Sequence, residues 1–200
     1  MTRSSRSADA GQAFPIYITV VAGLLFLALA YLAVGQAGAN RNGAQTAADA
    51  AALAAALDTR DQLAEEWVRN VDDPDTWQDV FHAVEAVFDG CDRADRLAAQ
   101  NDASRLACGR AEGALPGYTV RVESTRSVGD SIVPGTENMH AKATATAVIE
   151  PACTFKLPGE SPADAPLPTL TCDGVEWHPD PERPTELPGP EDLFDVHLAD

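Results

Sequence analysis

Cys91, Cys108, Cys153 and Cys172 are the residues of this sequence best suited to do chemistry, and that chemistry is oxidation to disulfides. They are even in number and all follow the one long apolar stretch of the chain, as expected of segments exposed to an oxidising compartment. No pair has CxxC spacing, so a zinc site is the weaker alternative. Four cysteines allow three pairings. Cys91 with Cys108 and Cys153 with Cys172 is the expected set, because each closes a local loop between adjacent elements. In the chain-entropy picture, loops of this size are worth on the order of 3 kcal/mol each.

Little other chemistry is written in the chain. His82, His140, His178 and His197 lie far apart, without metal-ligand spacing. HExxH, GxSxG, P-loop and GxGxxG patterns are all missing, and no Cys/His nucleophile arrangement stands out. Asp72, Asp73 and Asp75 form an acidic run, but they lack the alternation and distal Glu of a calcium loop, so helix capping is expected, with Asp75 as the N-cap. Few aromatic residues are present to wall a pocket. No enzyme, cofactor, metal site or small-molecule substrate is therefore expected. The formal net charge of −17 comes from 31 acidic against 14 basic residues. With no cluster of Lys and Arg, nucleic acid is excluded as a partner. The same charge disfavours anionic lipid headgroups.

The elements that would carry these cysteines are legible from periodicity. Trp77, Val80, Phe81, Val84, Val87 and Phe88 recur at helical spacing, which predicts an amphipathic helix after the break at Asn70–Asp75. A further helix is expected over Asp92–Leu106, ending near Cys108-Gly109. The period then changes to two. Tyr118–Arg126 and His140–Glu150 alternate, predicting antiparallel strands with alanine on one face and Lys/Thr on the other. Gly129-Asp130 and Pro134-Gly135 punctuate their link. Thr154–Leu157 and Thr169–Val175 would add a short pair stapled by Cys153 and Cys172.

Upstream, Phe14–Val34 is 21 residues without a charge. At about 1.5 Å per residue it spans roughly 31 Å, the thickness of a bilayer's hydrocarbon core. Tyr17 and Tyr31 lie near its ends, where amphipathic rings prefer the interface. Ala37-Gly38-Ala39 resembles a signal cleavage site, but the apolar stretch is longer than a usual signal core and the helical pattern runs past it. A permanent span is the expectation. Arg3 and Arg6 precede it, which places the N-terminus in the cytoplasm and the rest outside. Directly after the span, nine of the 13 residues from Ala44 to Ala56 are alanine, the best helix former. Helix should continue to about Arg69, loosened at Gly35, Gly38 and Gly43. So small a surface suits close helix packing, with Ala44, Ala47, Ala48, Ala51, Ala54 and Ala55 as the contact residues for a partner helix.

From Asp173 the chain turns acidic and proline-rich, with nine carboxylates against Arg183. Disorder is expected there, with Leu193, Phe194, Val196 and Leu198 as a short docking element. The organisation read from sequence is therefore a cytoplasmic N-terminus (1–13), a transmembrane helix (14–34), an Ala-rich helical stalk (35–70), an exported disulfide-bearing α+β domain (71–177) and a disordered acidic tail (178–200).

Two segments carry a family resemblance. Gly11-Gln-Ala-Phe-Pro-Ile-Tyr17 precedes the span, and Arg41–Ala56 follows it, including Gln45-Thr-Ala-Ala-Asp-Ala-Ala-Ala-Leu-Ala54. Together they resemble the TadE/TadG-like proteins of tight-adherence (Flp-type) pilus and secretion systems. The resemblance is good over about residues 11–60 and loose over 91–150. It implies a non-enzymatic minor pilin, pseudopilin or assembly component, held in the membrane by its N-terminal helix and partnered there by other subunits of the apparatus. Pseudopilins cut by a prepilin peptidase typically carry Glu five residues after the Gly that precedes the cut. Here Ile16 stands at that distance from Gly11, and Pro15 intervenes, so a permanently anchored, TadG-like role is expected. The alternative is a signal-anchored envelope binding module unrelated to pili.

Overall fold

Alanine-rich sequence with no internal breaker stronger than isolated glycine favours one long helix, and one is present. In the computed structural model, which describes residues 13–83, 89–127, 138–157 and 167–199, helix α1 runs from Ala13 to Arg69. Pro15 sits in its first turn, where a missing N–H costs nothing. Gly35, Gly38 and Gly43 do not interrupt it. At about 1.5 Å per residue α1 is about 85 Å long. It stops where Asn70 Nδ2 donates to the Glu66 carbonyl oxygen at 2.9 Å, a side-chain bond that competes with the helical ladder.

Two short helices follow, α2 at Pro74–Phe81 and α3 at Cys91–Gln100. Both differ from the sequence expectation. Asp73, not Asp75, is the N-cap residue of α2, and it caps without a side-chain hydrogen bond. Trp77, Val80 and Phe81 are buried as the periodicity required. The helix nonetheless ends at Phe81, because Ala83 takes a left-handed conformation at φ 49°. Val84, Val87 and Phe88 lie outside the described residues. Helix α3 does not reach Leu106. Asn101 Nδ2 donates to the Leu97 carbonyl oxygen at 2.8 Å, Asp102 adopts φ 54°, and the chain turns back as a strand.

That strand, β1 (Ala103–Arg110), joins β2 (Gly117–Ser127), β3 (His140–Pro151) and β7 (Phe194–Leu198) in an antiparallel sheet of order β1-β2-β3-β7. Residues 101–106 read as helix by propensity, but Ser104 and Arg105 find partners in Glu123 and Val122. Tertiary pairing overrides a weak local preference. Arg105 also forks onto Asp95 of α3, with Nη2 to Oδ2 at 2.7 Å. That hydrogen bond lowers the Asp95 carboxyl below its ordinary pKa.

The expected alternation in β2 and β3 is present. Tyr118, Val120 and Val122 are buried on one face and face Ala147, Ala145 and Ala143 across the ladder. Lys142, Thr144 and Thr146 take the outer face, with Thr119 and Thr146 hydroxyls 2.8 Å apart. Gly129, Asp130, Pro134 and Gly135 lie outside the described residues. Helix α1 packs on the inner face against β2 and β3, and α3 packs beside it on α1. Alanine on both surfaces lets a helix lie close on a sheet.

The C-terminal segment is ordered, contrary to the expectation of disorder from Asp173 onward. Strands β4 (Cys153–Thr154), β5 (Leu170–Cys172) and β6 (Val175–Trp177) form a small second sheet. Asp173 at φ 48° and Gly174 at φ 84° make its tight turn. Pro184 begins a single 3-10 turn, and Pro190 opens the one-turn helix α4 (Pro190–Leu193). There proline shapes the chain by its fixed φ. Leu193 and Phe194 are then fully buried, and β7 hydrogen-bonds along β3 from Pro151 to Ala147. Composition undervalues such a segment, because two large apolar side chains and a ladder suffice to order it. Phe194 stacks 5.3 Å from Phe81, in a chain of rings that continues through Phe155 to Trp77 and Trp67.

Candidate functional site

The most unusual surface of the molecule is the first third of α1. Phe14, Tyr17, Leu27, Tyr31 and Val34 are each more than 60% exposed, although side chains of this size are ordinarily covered. An 18-residue window here has a mean hydropathy of 2.4 with no part of it buried inside the protein. The core helix of a soluble domain has the opposite property. This helix is long and apolar enough to cross a membrane.

The same helix then changes role without changing structure. Ala44, Ala47, Ala48, Ala51, Ala54 and Ala55 are all buried, four of them completely, by the chain's own sheet and α3. The sequence reading assigned them to packing against a partner helix. Their neighbours are instead the alanine and valine face of β2 and β3. Most of the large apolar side chains that α1 leaves exposed lie before Ala44.

Both expected disulfides are present, Cys91–Cys108 and Cys153–Cys172, and no free cysteine remains. The first ties the start of α3 to β1, and the second ties β4 to β5. A buried polar junction holds the same helix to the sheet. Thr59 Oγ1 lies 3.1 Å from Tyr118 Oη, and the Gly90 N–H donates to that hydroxyl at 3.2 Å. One phenol thus joins α1, β2 and the entry to α3, which explains why a tyrosine stands at this buried position. Sequence reasoning missed this junction, since alternation marks Tyr118 only as an inward residue.

A collar surrounds α1 where it enters the domain. Gln36, Asn40 and Gly43 face Asn101, Asp102 and Arg126 across a groove of about 500 Å³. Asn40 Nδ2 donates to the Arg126 carbonyl oxygen at 3.2 Å, and the Arg126 guanidinium pairs with Asp102. Among the described residues no group of three or more His, Cys, Asp or Glu side chains converges as a metal site would require.

Residues 11–58 match the model of the Flp pilus-assembly TadE/G-like family. The matched segment coincides with the exposed apolar part of α1 and the first turns of its buried part. No curated protein and no solved structure matches the chain.

Proposed function

We propose that this chain is a membrane-anchored structural component, a minor pilin, pseudopilin or assembly protein, of a tight-adherence pilus or secretion apparatus. The observation that carries the reading is the single helix of 57 residues whose apolar first part stands bare and whose alanine-rich second part is buried under the domain. The family match over residues 11–58 falls on that same helix. A rigid continuous helix transmits position: wherever the span packs among other membrane helices, the domain is placed with it. The role needs no catalysis, and partner subunits meet the chain through the bare segment. Arg3 and Arg6 ahead of the span favour an inward N-terminus and an exported domain.

The experiment is a deletion in the native host, complemented by the full chain or by a chain whose residues 14–34 are replaced with an unrelated apolar helix. The proposal expects loss of surface filaments or secretion on deletion, rescue by the full chain, and no co-purification of other apparatus subunits with the replaced span. Protease added to spheroplasts should remove the domain. Normal filaments and secretion after deletion would overturn the proposal in favour of an independent envelope-binding module.

A further inference from the structure

The collar fixes how near the domain stands to the end of the span. Helix α1 passes unbroken from Val34, the last residue of the apolar run, to Asn40, a rise of about 9 Å. The polar layer on each side of a bilayer's hydrocarbon core is about 5–8 Å deep. Asn40 holds the Arg126 carbonyl, so the end of β2 sits at that height. Ser127 pairs with His140, and Met139 precedes it, so among the described residues the edge of the sheet nearest the span includes the end of β2 and the start of β3. The turn from α3 into β1 reaches the same edge, since Asp102 contacts Arg126.

At this edge Met139 leaves an apolar side chain 56% exposed, and the Arg126 side chain, 77% exposed, stands beside Asp102 as an open cation–anion pair. We propose that this edge is a lipid-contact face, a reading that rests on residues 14–34 spanning the membrane. Met139 enters the interfacial layer, and the Arg126 guanidinium takes a lipid phosphate, for which its planar fork is suited. Asp102, beside it, takes the ammonium of the same headgroup. The lipid is therefore zwitterionic. A cation and an anion side by side match a phosphate and ammonium side by side, whereas a chain of net charge −17 gains nothing from an anionic surface. The domain is thus seated on the bilayer at a set orientation, with α1 as its axle.

The test uses the full, oxidised chain in nanodiscs of phosphatidylethanolamine and phosphatidylcholine carrying a trace of headgroup-nitroxide or acyl-chain-nitroxide lipid. A fluorophore is attached at Met139→Cys, at Glu150→Cys near the far end of β3, or at Leu24→Cys within the span. Headgroup nitroxide should quench the label at 139 at least threefold more than the label at 150. Adding Arg126→Glu to the 139 variant should lower its quenching by half or more, and acyl-chain quenching at 24 should stay unchanged. If 24 is quenched but 139 and 150 are quenched equally, the lipid-contact face is wrong, the span reading stands, and the edge is left to a protein partner. If 24 itself is not quenched by acyl-chain nitroxide, the span reading fails and takes the lipid-contact face with it.

Discussion

Gly90 lies directly against the backbone of Ala55: a β-carbon on Gly90 would fall 2.3 Å from the Ala55 carbonyl oxygen. Neither the α3 entry nor α1 can give way cheaply, because the contact is backbone on backbone and the Cys91–Cys108 disulfide begins at the next residue. Gly90→Ala should therefore destabilise the domain by about 2–3 kcal/mol, as overpacking in tight sites does. Gly43→Ala is the matched control. Nothing lies within 4 Å of its added carbon, and replacing a helix-interior glycine should stabilise by up to about 1 kcal/mol. Denaturant unfolding of the two variants should move in opposite directions.

Ala51 is completely buried. Ala51→Leu should cost the isolated protein about 1–3 kcal/mol, visible as a lower melting temperature with no other subunit present. An unchanged melting temperature would mean that the alanine stripe is free for a partner helix after all.

Removing the chain after Trp177 should strip β7 from the sheet and Leu193 and Phe194 from the core. Phe194→Ala alone should cost about 3–5 kcal/mol, as deletion of a buried ring does. Calorimetry of either variant checks this. A truncated protein that melts like the full chain would contradict the place of Phe194 beside Phe81.

Peptide mapping without reductant should recover Cys91 linked to Cys108 and Cys153 linked to Cys172. Replacing either pair by serine should lower stability by about 3 kcal/mol, given loops of 17 and 19 residues.

Asp95 supplies a pH signature. Its carboxyl is held below the ordinary value by the hydrogen bond from Arg105, so the folded protein binds its proton more weakly than the unfolded chain does. The contribution is complete above the unfolded carboxylate range and fades as pH falls below about 4. The pair is partly exposed, with Asp95 at 45%, so the effect should be no more than about 1 kcal/mol. Asp95→Asn should lose that amount at pH 7 and differ less from the parent at pH 2–3 in parallel denaturant titrations.

Local patterns in the sequence were sufficient for a large part of this protein. The uncharged run from Phe14 to Val34, the alternation through Tyr118–Arg126 and His140–Glu150, and the two short-range cysteine pairs are all written in neighbouring residues. Periodicity and loop closure act over neighbouring residues, so the reading and the structure agree there. Thr169–Val175 read as one strand, but Asp173-Gly174 turns the chain there, and Leu170–Cys172 pairs with Val175–Trp177 instead.

Only the tertiary structure decided what covers Ala47, Ala51 and Ala55, why Arg105 and Leu106 are strand and not helix, and that Phe194 returns to the core beside Phe81. Each depends on a partner distant in sequence. A stripe of alanine reads the same whether a second chain or the chain's own sheet lies on it. Whether a proline-rich segment becomes ordered turns on apolar area buried against residues more than 100 positions away, which no local window contains.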